Sequence, residues 1–184
     1  MGYKEKLTAF NKGATYNEEL RFLGSLLDIK LSDVIVDYGC GTGYGVQHMK
    51  DKGADVYGYD ANDYRSSEYP ERYFVDQLPD KIDKVYFMHS YSHIPNIDIV
   101  LRYLHDRLSE EGRIYIIAPN PTWINTFENV DYKPDPTVVR HNTHVEIFQQ
   151  MNNAGFNMVL EGQLGNLRQN VHERVFAIYQ KKYE

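Results

Sequence analysis

The spacing of apolar residues predicts a helix followed by alternating strands and helices. Leu20, Leu23, Leu26 and Leu27 recur at helical intervals after Asn17, a good helix-capping residue type, and the pattern stops at Ser32-Asp33. This predicts a leading helix over residues 17–29. Five short runs rich in β-branched and aromatic residues follow: Val34-Ile35-Val36, Val56-Tyr57-Gly58-Tyr59, Tyr73-Phe74-Val75, Val85-Tyr86-Phe87-Met88 and Ile114-Tyr115-Ile116-Ile117. Between the last two, Ile99, Val100, Tyr103, Leu104 and Leu108 form an amphipathic helical stripe, with Glu111-Gly112 as its expected stop. Thr143 and Glu146 have capping-box spacing ahead of Ile147, Phe148 and Met151, so a further helix is expected over roughly 144–154. Met158-Val159-Leu160 and Val175-Phe176-Ala177-Ile178-Tyr179 supply two closing strands. The alternation predicts an α/β fold, a parallel sheet with helices on both faces. Residues 119–142, which contain Pro119, Pro121, Pro134 and Pro136, form a long lid-like insertion between strand and helix.

Length, charge and cysteine usage narrow the picture. A chain of 184 residues fits a single domain, residues 1–184. Its formal net charge of -6 opposes a standing attraction to nucleic-acid phosphates or anionic membrane. Residues 1–10 lack the apolar core of a signal peptide and no run approaches membrane-spanning length, so the expectation is a cytoplasmic protein. Cys40 is the single cysteine, which leaves no internal disulfide to form. The 16 tyrosines are read mainly as strand and core residues, some of them available to line an aromatic acceptor pocket.

Candidate chemistry concentrates at Val34-Ile35-Val36-Asp37-Tyr38-Gly39-Cys40-Gly41-Thr42-Gly43-Tyr44-Gly45, a strand running directly into a glycine-rich turn and a helix. Glycines at 39, 41 and 43 allow a tight turn and close approach of a ligand to backbone amides. A dinucleotide site calls for its third glycine at position 44, where this chain has Tyr44. Asp37 ahead of the loop also suits a cationic ligand and repels a pyrophosphate. The second strand ends at Asp60, about 20 residues beyond the loop, where such a carboxylate accepts hydrogen bonds from ribose hydroxyls.

Through Asp37-Tyr38-Gly39-Cys40-Gly41-Thr42-Gly43 and Tyr59-Asp60-Ala61, the chain resembles the class I S-adenosylmethionine-dependent methyltransferases over nearly its whole length. The resemblance implies a Rossmann-like, seven-stranded, mostly parallel sheet whose last strand is antiparallel, with S-adenosylmethionine as cofactor. It implies that Gly39 and Gly41 permit cofactor approach, that Asp37 and Ala61 border the cofactor and that Asp60 holds its ribose. Val75-Asp76-Gln77-Leu78-Pro79 is similar to the family segment in which an acid meets the adenine amino group, which gives that role to Asp76 with Gln77 beside it. Tyr16 resembles an amino-terminal contact to the methionine carboxylate.

Methyl transfer needs alignment and water exclusion more than a dedicated base. His89 and His93 follow the fourth run at the strand end where ligands bind in open α/β sheets. His89 is expected to line the cofactor, and His93 is the candidate general base toward an acceptor. His141, His144 and Glu146 have no convincing fourth ligand, so no metal site is expected. Trp123, Phe127 and Tyr132 are candidates for an apolar cover or for anchoring the insertion to the core. Cys40 is assigned no catalysis. The expected activity is O- or N-methylation of a small molecule. A catalytically inactive S-adenosylmethionine-binding module with a protein partner, and a tRNA or protein methyltransferase, stand as alternatives; a nicotinamide-dependent oxidoreductase is disfavoured by Tyr44. Acceptor and oligomeric state are left open.

Overall fold

The computed structural model describes residues 3–120, 137–140, 142–166 and 171–182. The insertion expected at 119–142 falls largely outside them, as do Trp123, Phe127, Tyr132 and His141. The elements are α1 (Tyr3–Asn11), α2 (Ala14–Leu26), β1 (Val34–Tyr38), α3 (Tyr44–Lys50), β2 (Asp55–Tyr59), β3 (Ile82–Met88), α4 (Ile97–Arg107), β4 (Leu108–Pro119), α5 (His144–Asn153), β5 (Phe156–Asn166) and β6 (Val171–Lys181), with short 3-10 turns at Glu71–Tyr73 and Tyr91–His93. The strands form a six-stranded mixed sheet in the order β2-β1-β3-β4-β6-β5. The chain divides into two compact units, Met1–Tyr86 and Phe87–Glu184, and the boundary falls within β3.

In the first unit β1 pairs in parallel with β2, Val34 opposite Asp55 through Tyr38 opposite Tyr59, and in parallel with β3. Leu20, Leu23 and Leu27 of the α2 region are buried together with Ile35, Val36, Val46, Met49, Val56 and Val85. At the lower ends of β1 and β3, Lys84 is bonded to the Asp33 carboxylate and to the Asp28 carbonyl. Burial pushes the Asp33 carboxyl up, but the Lys84 bond and the Lys30 amide outweigh it and hold it below its ordinary range.

In the second unit β6 is antiparallel to both β4 and β5. Ile114, Tyr115, Ile116, Ile117, Ile147, Met151, Phe156 and Tyr179 are buried there. The capping box at the start of α5 is formed: the Thr143 hydroxyl accepts from the Glu146 amide, and a Glu146 carboxylate oxygen accepts from the Thr143 amide. Among the described residues no helix is long and apolar enough to cross a membrane.

Several expected elements differ. Among the described residues six strands are present where seven were expected, because the Tyr73-Phe74-Val75 run contributes only an isolated parallel bridge between Phe74 and Gly58. The chain turns through Glu71–Tyr73 immediately before it and passes into exposed Asp76 and Gln77 immediately after, so only one residue lies in register. The leading helix spans Ala14–Leu26, not 17–29, with Gly13 at its N-cap. Asn17 is a full turn inside; its amide donates to the Gly13 carbonyl, and its side-chain oxygen accepts from the Tyr44 hydroxyl. Helix α1 precedes it, where the interspersed charges of residues 3–11 hid the periodicity. Helix α4 stops at Arg107 and Gly112 lies within β4 without a positive φ, so it is a strand residue and not a cap.

Candidate functional site

The first unit brings the glycine loop, the buried acid and the strand-end acid together. Gly39, Gly41 and Gly43 have φ values of 80°, 54° and 90°, the left-handed region that a side chain strains. The loop's amides are largely committed internally. Gly39 and Cys40 donate to the Tyr59 carbonyl at 2.7 and 3.1 Å, Gly43 donates to the Cys40 carbonyl at 3.0 Å, and Gly41 donates to Asp60 Oδ2 at 2.9 Å. The expectation of amides exposed to a ligand is corrected by this geometry. A pyrophosphate cradle works by aiming such N–H groups at the anion; here three of them tie the loop to the end of β2 and the fourth, of Gly43, closes a turn within the loop. The geometry therefore disfavours a dinucleotide more directly than Tyr44 does.

Asp60 stands just past β2 as the pin of this arrangement. Its Oδ1 accepts from the Asn62 amide at 2.9 Å while Oδ2 holds Gly41. A carboxylate has about four acceptor positions, so each oxygen keeps capacity for a hydroxyl donor. Ala61, next in the chain, is exposed. Asp37 lies at 2% exposure at the end of β1. Burial first, and the Asp60 charge second, push its carboxyl up to about 8, while the adjacent Tyr86 hydroxyl favours the anion. Geometrically the Tyr86 hydroxyl does not complete a hydrogen bond. Tyr16, on α2, is also buried; its ring meets Phe10 edge-on at 5.3 Å and Tyr44 at 6.2 Å. Burial and the Asp37 charge push its hydroxyl well up.

Sequence reasoning missed Gly45, which makes this cluster possible. A Cβ there would stand 2.9 Å from Asp37 Oδ2 and 3.5 Å from the Tyr16 hydroxyl. Its signal is the fourth glycine of the run, one residue past the position that a dinucleotide spacing marks. Helix α1 was missed too: Leu7 covers Gly41, and the Asn11 amide donates to the Thr42 hydroxyl at 3.0 Å in a buried bond. On the other flank Phe74 and Tyr69 cover Gly43, where an added Cβ would lie 2.4 Å from the Phe74 ring. We therefore expect Gly43→Ala to destabilise the fold by about 2–4 kcal/mol, combining the left-handed backbone with overpacking against a buried ring. Gly41→Ala meets only the tip of the flexible Leu7 side chain and should cost less. Urea unfolding midpoints of the two variants check the order.

Asp76 lies beyond the bridge residue Phe74 and is 88% exposed, with Oδ1 bonded to Arg65 Nη2 at 2.6 Å. Gln77 beside it is also exposed. Cys40 is buried, and burial followed by the Asp37 charge pushes its thiol far up, away from a reactive thiolate.

His89 and His93 belong to the second unit. His89 ends β3 in a left-handed conformation, φ 58°, its amide donating to the Ile117 carbonyl at 2.8 Å. His93 is half-buried, with Nδ1 2.8 Å from the Thr137 hydroxyl, which fixes the ring's orientation. His144 lies 3.5 Å from Glu161, and Glu146 is engaged in the capping box, so these two serve α5 and its contact with β5.

A parallel β1-α3-β2 unit whose glycine loop is bonded to a carboxylate at the end of β2 defines a Rossmann-like ligand-binding protein. The model of a family described as methyltransferase domain matches residues 11–161, and the chain belongs to that family: it is an S-adenosylmethionine-dependent methyltransferase. No curated protein sequence matches it. Among solved structures it is similar to an S-adenosylmethionine-dependent methyltransferase from Archaeoglobus fulgidus, with 17% identity, a TM-score of 0.75 and coverage of 98% of this chain and 100% of that one. It is also similar to the 1,6-didemethyltoxoflavin-N1-methyltransferase of Burkholderia thailandensis, solved with its acceptor and S-adenosylhomocysteine, at 16% identity and a TM-score of 0.73 over 98% of this chain and 84% of that one. A Haloferax volcanii methyltransferase solved with its Trm112 activator gives 15% identity and a TM-score of 0.69 over 85% of each chain.

The residues present fit the cofactor. A buried carboxyl with an adjoining acid favours a cationic ligand, and Asp60 retains acceptor capacity for a diol.

Proposed function

We propose that this methyltransferase acts on a small-molecule acceptor, at oxygen or nitrogen, and binds its cofactor chiefly with residues of the first unit. The carrying observation is Asp60, whose carboxylate is bonded to the glycine loop on one oxygen and to the Asn62 amide on the other. In this reading Gly39 and Gly41 allow the cofactor to approach, Asp60 and Ala61 border the ribose, Asp76 and Gln77 border the adenine, and Asp37 with Tyr16 serves the amino-acid end. S-adenosylmethionine supplies an electrophilic methyl group; the protein's part is to orient it, neutralise its charge and exclude water. His89 remains assigned to the cofactor and His93 to acceptor deprotonation, with Thr137 holding the His93 ring.

The small acceptor is supported by the net charge of -6, which offers no general attraction to nucleic acid, and by a fold neighbour whose substrate is 1,6-didemethyltoxoflavin. The reading includes one functional domain, since the family match spans both units, and a cytoplasmic location. A partner-dependent methyltransferase is the second reading, favoured by the neighbour solved with an activator. Incubating purified protein with methyl-labelled cofactor and either a metabolite extract, or tRNA and protein fractions, tests the acceptor class, and turnover that appears only when a protein fraction is added favours the second reading. Label in a small metabolite supports the proposal. Label confined to macromolecules overturns it.

A further inference from the structure

Arg65 occupies a position that fold stability does not account for. It follows the Asp60 loop, and its guanidinium is held between the Asp76 carboxylate, 2.6 Å away, and the face of Phe74, 5.3 Å from the ring centroid. Its carbonyl accepts from Lys4 of α1, so α1 and the 74–76 segment of the first unit converge on one residue. The ion pair is open to solvent, with the Asp76 side chain 88% exposed and that of Arg65 28% exposed, and such pairs contribute little to stability. What the pair does accomplish is geometric. An exposed carboxylate rotates freely, and a charge-assisted bond from the guanidinium to one of its oxygens restrains that rotation. Arg65 is itself restrained by stacking on Phe74, whose ring is seated over Gly43 of the cofactor loop.

We infer that Arg65 is a positioning residue for adenine recognition: by binding Asp76 Oδ1 it presents Oδ2 in a fixed direction to the 6-amino group, linking the ribose-side loop to the adenine side. The inference rests on the adenine role proposed above for Asp76. It makes Arg65 a determinant of selectivity for an amino-bearing purine, a role that its distance in sequence from both glycine loop and Asp76 conceals.

The test compares two ligands, S-adenosylhomocysteine and its purine analogue lacking only the 6-amino group, by calorimetry on wild type, Arg65→Ala, Arg65→Lys and Asp76→Ala. Wild type is expected to prefer the amino-bearing ligand by about 10-fold or more, the scale of a hydrogen bond to a charged group. Arg65→Ala should bring that ratio to within about 3-fold of unity, with Arg65→Lys, which keeps the charge but not the planar fork, in between. A residue important only for folding would weaken both ligands equally and leave the ratio intact. If Asp76→Ala loses the preference while Arg65→Ala retains it in full, the positioning role is overturned and the adenine reading survives. If Asp76→Ala also retains it, the adenine role itself fails. A wild-type chain that binds neither ligand overturns the proposed cofactor site.

Discussion

Replacing Asp37 with asparagine is expected to stabilise the ligand-free protein while weakening its grip on the cofactor. The sign follows from proton linkage. Asp37 titrates near 8 in the folded state because it is buried and close to Asp60, whereas in the unfolded chain it titrates near 3.8. Below the lower value both states hold the proton and the residue adds no pH dependence. Between the two values the folded state binds a proton that the unfolded state has released, so stability falls as pH rises and the loss is complete once pH passes the folded value. At pH 8 the accumulated cost is on the order of 5 kcal/mol, part of which an asparagine would replace with the desolvation of its own amide. Asp37→Asn should therefore raise the thermal midpoint by about 5–10 °C at pH 8 and converge on wild type toward pH 4. Calorimetric melts across that range check both the sign and the convergence. The cost is consistent with a residue kept for ligand charge: cofactor affinity of wild type should climb as pH approaches 8 with proton release on binding, and Asp37→Asn should lose both the climb and the released proton. A variant that is destabilised at pH 8 would contradict the burial argument.

The second large effect is expected at Asp60. Asp60→Ala removes the acceptor for the Gly41 and Asn62 amides as well as the proposed ribose contact. Loss of hydrogen bonds to a charged group corresponds to about 1–3 kcal/mol, or about 5- to 150-fold in S-adenosylhomocysteine affinity. Asp60→Asn retains one carbonyl oxygen and should recover part of it. Because the same carboxylate holds the glycine loop, Asp60→Ala should also speed hydrogen exchange at Gly41, whereas the buried Ile35 and Val36 of β1 should be unaffected. Affinity unchanged in Asp60→Ala would remove this residue from the site.

The sequence was most informative where one residue type has one physical use. Gly39, Gly41 and Gly43 all adopt the left-handed backbone that their spacing suggested, and the Thr143-Glu146 pattern forms its capping box. The bond from the Gly41 amide to Asp60, by contrast, was not among the expectations, which gave Asp60 only a ribose contact. The sequence was less informative where tertiary contacts decide. The Tyr73-Phe74-Val75 run has strand composition, yet Phe74 is buried over Gly43 and the ladder stops at one bridge. Asn17 is a good cap by type, but Gly13 caps α2 and Asn17 joins Tyr44. The commitment of the loop amides to Tyr59 and Asp60 has no local signature, because it depends on the alignment of β1 with β2. Gly45 and Arg65 carry no local signal for the same reason: one is defined by the atoms a side chain would strike, the other by partners in two other segments, α1 and residues 74–76.

The central claim is that the glycine loop and the acid bonded to it hold the adenosyl group of the cofactor. A crystal structure of the protein grown with S-adenosylhomocysteine tests it most directly. Both ribose hydroxyls are expected within hydrogen-bonding distance of Asp60, with the sugar resting against the backbone of Gly39–Gly41. Ligand density elsewhere on the chain, with Asp60 bonded only to Gly41 and Asn62, would contradict it.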